Sequence, residues 1–83
     1  MSIVKFSLLK MFGERMKEQR EFTEPRLRQE DVGKILGMSQ RKISRLEKED
    51  INPTPEEIVK ICKFYNVSAD YLLGITNDFR RLK

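Results

Sequence analysis

The chain has 83 residues, 39% of them apolar and 36% charged, a balance that fits one small globular domain and leaves no room for two. It contains no histidine and a single cysteine, Cys62, which excludes Cys/His zinc sites, a Ser-His-Asp triad, a Cys-His pair and an internal disulfide. No run approaches the roughly 20 apolar residues that span a bilayer, and the opening stretch meets charge too early for a secretory signal. The expectation is a cytoplasmic chain forming one domain over residues 1–83, with a core at about 8–74 and a tail at 75–83.

Apolar residues at Leu9, Phe12 and Met16, joined by Phe6, recur at helical spacing, so a first amphipathic helix is predicted from about Ser7, its N-cap, to Glu21. Pro25 then breaks the pattern and marks residues 22–26 as a loop. Val32, Ile35 and Leu36 predict a short second helix from Gln29, closed by Gly37 in the left-handed conformation. Ser39 caps a third helix from Gln40 to about Lys48, with Ile43 and Leu46 inward.

Residues 50–53 read as a loop. Thr54-Pro55-Glu56-Glu57 is a capping box with proline at the first helical position. In the fourth helix Ile58, Ile61, Cys62 and Tyr65 form the stripe, widened by Val59 and Phe64, and Asn66 follows it. Cys62 on that stripe is expected to be a packed hydrophobe, not a redox switch. Ser68 caps a last short helix carrying Tyr71, Leu72 and Leu73, ended by Gly74. No strand signal occurs, so the fold class is all-α.

The net charge is +4, and its distribution says more than its size. Between Arg26 and Lys48 there are seven bases and three acids, whereas the remaining residues hold ten of each. The excess therefore lies in one central block, as on a surface that meets phosphates, although a solvated helix face has the same composition.

The unit from Gln29 to Lys48 has the size of a helix-turn-helix, in which two short helices cross steeply through a tight turn. Gly33 offers the small residue needed where the helices cross, and Gly37 the positive φ of the turn. Val32, Leu36, Met38, Ile43 and Leu46 offer the apolar contacts.

The run QEDVGKILGMSQRKISRLEK, followed by INPTPEEIVKICKFYNVSADYLLG, resembles the phage repressor and Cro type of helix-turn-helix domain, the XRE family. The resemblance covers about Leu8 to Gly74. It implies a compact five-helix, lambda-repressor-like DNA-binding domain with the helix-turn-helix at helices 2 and 3, acting as a homodimeric transcriptional repressor. There are three departures. The loop between Arg20 and Gln29 is slightly long, Arg28 stands where a capping Ser or Thr is common, and Gly33 replaces the usual alanine, which should cost up to about 1 kcal/mol of helix propensity.

In such a domain the third helix lies in the major groove. Gln40, Arg41, Ser44 and Arg45 are then the expected base contacts, since Gln suits adenine and Arg suits guanine. Phosphates would be met by Arg28, Gln29, Lys42, Asn52 and Thr54. The resemblance also pairs Arg20 with Glu47 as a structural ion pair between the first and third helices.

Tyr71, Leu72, Leu73, Ile75 and Phe79 carry more apolar bulk than a short helix needs for itself. They are expected either to form a dimer contact or to complete the core of the protomer. A dimer would place its reading helices about 34 Å apart on a palindromic operator. Expected partners are therefore double-stranded DNA and a second copy, with no membrane, cofactor or small-molecule effector. An antitoxin-like chain, whose main partner is a toxin protein and whose DNA binding is autoregulatory, is the alternative; an enzyme or a helical adaptor without DNA contact is the weaker one.

Overall fold

The computed structural model describes residues 3–77, with side chains from residue 11 onward. Five helices follow one another: α1 (Ile3–Glu21), α2 (Gln29–Leu36), α3 (Gln40–Glu47), α4 (Pro55–Tyr65) and α5 (Ala69–Leu72). No strand occurs among the described residues, and none of their helices is long and apolar enough to cross a membrane.

Local chemistry ends these helices where the side chains can serve as caps. Ser39 Oγ accepts the Lys42 N–H, and Ser68 Oγ that of Tyr71, each at 3.1 Å. Thr54 and Glu57 bond reciprocally at 3.1 and 2.9 Å, closing the capping box around Pro55. Gly37 (φ 73°) and Asn66 (φ 58°) end α2 and α4 in the left-handed conformation.

The first helix departs from expectation at its start. It begins at Ile3, so Ser7 lies inside it and is not its N-cap; no proline or glycine between Ile3 and Phe12 interrupts it. The side chains of Phe6 and Leu9 lie outside the described residues, as does the whole of Phe79.

The core joins all five helices. Phe12 and Met16 of α1, Val32 of α2, Ile43 and Leu46 of α3, Ile61 of α4 and Leu72 of α5 are almost wholly withdrawn from water, together with Val67. Cys62, Tyr65 and Tyr71 are buried around them, while Leu36, Met38, Ile58 and Leu73 pack on partly buried. Burial pushes the Cys62 thiol up from its ordinary value, which keeps it protonated.

Two apolar positions of the helical pattern stay outside: Ile35 and Val59 are 58% and 52% exposed. Of the residues expected either at a dimer contact or in the protomer's core, Tyr71 and Leu72 are buried in the core. Of that set, Leu73 is half-buried against the core and Ile75 is exposed.

Polar side chains complete the inward face of α1. Arg15 and Gln19 are buried alongside Phe12 and Met16, at the i, i+3, i+4 and i+7 positions of one stripe. Arg15 Nη1 donates to the carbonyls of Tyr71 (2.6 Å) and Thr76 (2.7 Å), and Nη2 to Asn77 Oδ1 (2.6 Å). Its guanidinium also lies 4.3 Å from the centre of the Tyr71 ring. This one side chain fastens α5 and the segment after it to α1.

Candidate nucleic-acid interface

The α2–α3 pair is set by one close approach. A β-carbon on Gly33 would lie 2.5 Å from the Met38 carbonyl oxygen, so the turn passes over the helix only because that carbon is missing. Gly33 O meanwhile accepts the Met38 N–H at 2.8 Å. An alanine at this position would need the turn to shift away from α2. A similar approach holds α1 to the end of α3, where a β-carbon on Gly13 would meet the carbonyls of Glu47 (2.6 Å) and Leu46 (2.8 Å).

The orientation of α3 is secured by a chain of four side chains. Arg20 Nε donates to Glu47 Oε2 at 2.8 Å and its Nη2 to Glu47 Oε1 at 3.0 Å, a two-toothed contact with side chains only 11% and 2% exposed. Gln29 Nε2 donates to Glu47 Oε1 at 3.0 Å, and Gln40 Nε2 donates to Gln29 Oε1 at 3.0 Å. Hydrogen bonding to Glu47 holds the Arg20 pKa above its ordinary value, against the lowering effect of burial. The same guanidinium donates to the Leu27 carbonyl at 3.1 Å, and Thr23 Oγ1 accepts the Leu27 N–H at 2.9 Å, so the long loop is tied down at both ends.

With Ile43, Leu46 and Glu47 turned inward, α3 presents Arg41 and Arg45 outward, followed by the exposed Lys48, with Ser44 half-buried between them. Among the described residues none of these three cations has an ion pair. Ser39, Arg41, Lys42, Arg45 and Ile51 line a shallow depression of about 290 Å³ on this side. Gln40 is exposed at the start of the helix.

The expected phosphate contacts divide. Gln29 is engaged at both ends of its amide, as described, and Asn52 is exposed. Thr54 is occupied as the cap of α4. Lys42 is paired with Glu57. Burial raises the Glu57 carboxyl, but Lys42 and the Thr54 N–H outweigh it and hold the pKa below the usual glutamate range.

Arg28 is the N-cap residue of α2 without a side-chain cap of its own. Its N–H donates to Asp31 Oδ2 at 3.0 Å, and its guanidinium sits 3.2 Å from Glu30 and 3.6 Å from Asp31 while remaining exposed. That backbone bond, more than the nearby charge, holds the Asp31 carboxyl low. The basic block of the sequence is therefore not one surface. Arg28 and Lys42 are partly neutralised in place, Lys34 points into a separate groove with Ile35, and the unpaired charge facing outward from α3 belongs to Arg41, Arg45 and Lys48.

Sequence reasoning missed Arg15, Gly13 and Glu49. Glu49 sits at φ 66° after α3 and its Oε2 accepts the Glu14 N–H at 3.1 Å. The polar positions within the α1 stripe were the available signal for Arg15; nothing local marks the other two.

A family model described as Helix-turn-helix matches residues 16–72. The chain is 28% identical over 68 residues to the uncharacterised HTH-type transcriptional regulator YobD of Bacillus subtilis, covering 82% of this chain and 59% of that protein. It is 32% identical over 62 residues to the HTH-type transcriptional regulator ImmR of the same organism, covering 75% of this chain and 47% of the relative. It thus spans about half the length of these curated relatives. The P22 c2 repressor, crystallised with the synthetic operator 9T, superposes with a TM-score of 0.67 at 34% identity, covering 75% of this chain and 91% of the repressor chain. The chain belongs to the XRE-type helix-turn-helix family.

Proposed function

We propose that this chain is a sequence-specific, double-stranded DNA-binding transcription regulator of the cytoplasm, a repressor that meets a palindromic operator as a homodimer. The observation that carries this reading is the outward face of α3, where Arg41 and Arg45 stand without acidic partners among the described residues. Gln40, Arg41, Ser44 and Arg45 would read base edges from the major groove. Arg28, Gln29, Lys42, Asn52 and Thr54 would set the helix on the phosphates, Lys42 by exchanging Glu57 for a phosphate oxygen. Leu73 and Ile75, with Phe79 outside the described residues, remain as the candidate contact between copies. The helix-turn-helix family supports this over an enzymatic role.

The test is a fluorescence-anisotropy titration against the DNA upstream of the coding sequence and against a shuffled duplex, at several salt concentrations. Preference for the native duplex that persists near physiological salt and disappears in Arg41→Ala is the expected result. Equal, steeply salt-sensitive binding to both duplexes would overturn the reading role of α3. An antitoxin-like chain, whose DNA binding is autoregulatory, would also prefer its own upstream duplex, and is distinguished by a toxin protein that co-purifies.

A further inference from the structure

A second surface shares no residue with the outward face of α3. Between the C-terminal end of α2 and the last turns of α4 lies an open groove of about 590 Å³, with Ile35, Leu36 and Phe64 exposing apolar surface and Lys34, Lys60 and Lys63 around them. Ile35 is 58% exposed although it belongs to the apolar pattern of its helix. No acidic residue lines the groove, and among the described residues none of the three lysines forms an ion pair. Apolar surface and positive charge without an ion pair are thus held together at one place.

We propose that this groove docks an acidic amphipathic helix of a partner protein, which would lay an apolar edge along Ile35, Leu36 and Phe64 and set Asp or Glu side chains against Lys34, Lys60 and Lys63. Charge selects this occupant. A second copy meeting the groove through a two-fold contact would bring the same lysines face to face, which like-charge repulsion disfavours. A DNA backbone would satisfy the lysines but gains nothing from the apolar floor. The inference does not depend on the role proposed for α3.

The probe is a display library of random peptides of about 12 residues, roughly three helical turns, selected on the immobilised full chain. Selected peptides should be rich in Asp and Glu, with Leu, Ile or Phe at i, i+3 and i+4. A selected peptide should bind at least about tenfold more weakly to Lys60→Glu/Lys63→Glu and to Ile35→Asp, both still folded by circular dichroism, and retain its affinity for Arg41→Ala. Failure to select any peptide, selection without an acidic bias, unchanged binding to the groove variants, or loss in Arg41→Ala would each overturn the proposal. So would sedimentation showing that the wild type is a dimer which Ile35→Asp dissociates, since a second copy would then fill the groove.

Discussion

Gln29 joins Gln40 to Glu47: one end of its amide accepts from the first residue of α3, and the other donates to the buried carboxylate at the end of the same helix, each at 3.0 Å. The first residue of α2 thereby spans α3 from end to end, and Arg20 closes the chain from α1. Whatever Gln40 touches is positioned by a side-chain network rooted in a buried ion pair.

Removing Arg20 leaves Glu47 buried without its counter-charge, a change that costs about 3–5 kcal/mol at comparable sites. Arg20→Ala is expected to lower the melting temperature by roughly 10 °C or more in a chain of this size. Arg20→Lys should fall between the two, because an ammonium keeps the charge but not the two-toothed contact. Thermal circular dichroism reads both, and an unchanged melting temperature for Arg20→Ala would refute the role given to this pair.

Gly33→Ala and Gly13→Ala should each destabilise the protein, although alanine is the better helix former by about 1 kcal/mol. The added carbon meets backbone carbonyls at 2.5 Å from Gly33 and at 2.6 Å from Gly13, and overpacking of this kind costs about 1–3 kcal/mol. Gly37 has open space around it and a φ of 73°, so Gly37→Asn should be far milder than Gly37→Val. Denaturant midpoints measured with unchanged slopes check the order of all four.

Arg15→Met keeps much of the buried stem but removes three hydrogen bonds that tie Tyr71, Thr76 and Asn77 to α1. A loss of about 3 kcal/mol is expected, the scale for charged hydrogen bonds in a buried setting. The discriminating readout is amide exchange: protection should fall at residues 71–77 before it falls in α3.

Acid should weaken the fold through Glu57. Its carboxyl is held below the ordinary glutamate range in the folded protein, chiefly by Lys42 and the Thr54 N–H acting against burial. A depressed folded-state pKa contributes stability above the unfolded-state value, and that contribution is lost as pH falls through the folded-state pKa. The half-buried Asp31, also held low, acts with the same sign. Glu57→Gln should therefore flatten the decline of melting temperature below the usual carboxylate range, while lowering stability at neutral pH. It also releases Lys42 from the pairing it must otherwise give up for a phosphate, so affinity for duplex DNA should rise in the same variant.

Much of the fold was legible because its signals are local. Ser39, Thr54 with Glu57, Ser68, Gly37 and Asn66 act on backbone groups within a turn of themselves, so residue type and spacing alone determined where three of the five helices begin and how α2 and α4 end. The inward registers of α3 and α4 followed from apolar spacing for the same reason. Only tertiary structure decided what happens where helices meet. Arg15 is buried because carbonyls from the other end of the chain receive it, and Gly13 is needed because α3 ends against it. Lys42 is paired because α4 begins beside it, and Tyr71 and Leu72 are core because α1 covers them. Ile35 and Val59 belong to the apolar pattern of their helices yet face water, because a helical period specifies a stripe and its neighbours decide how much of that stripe is covered.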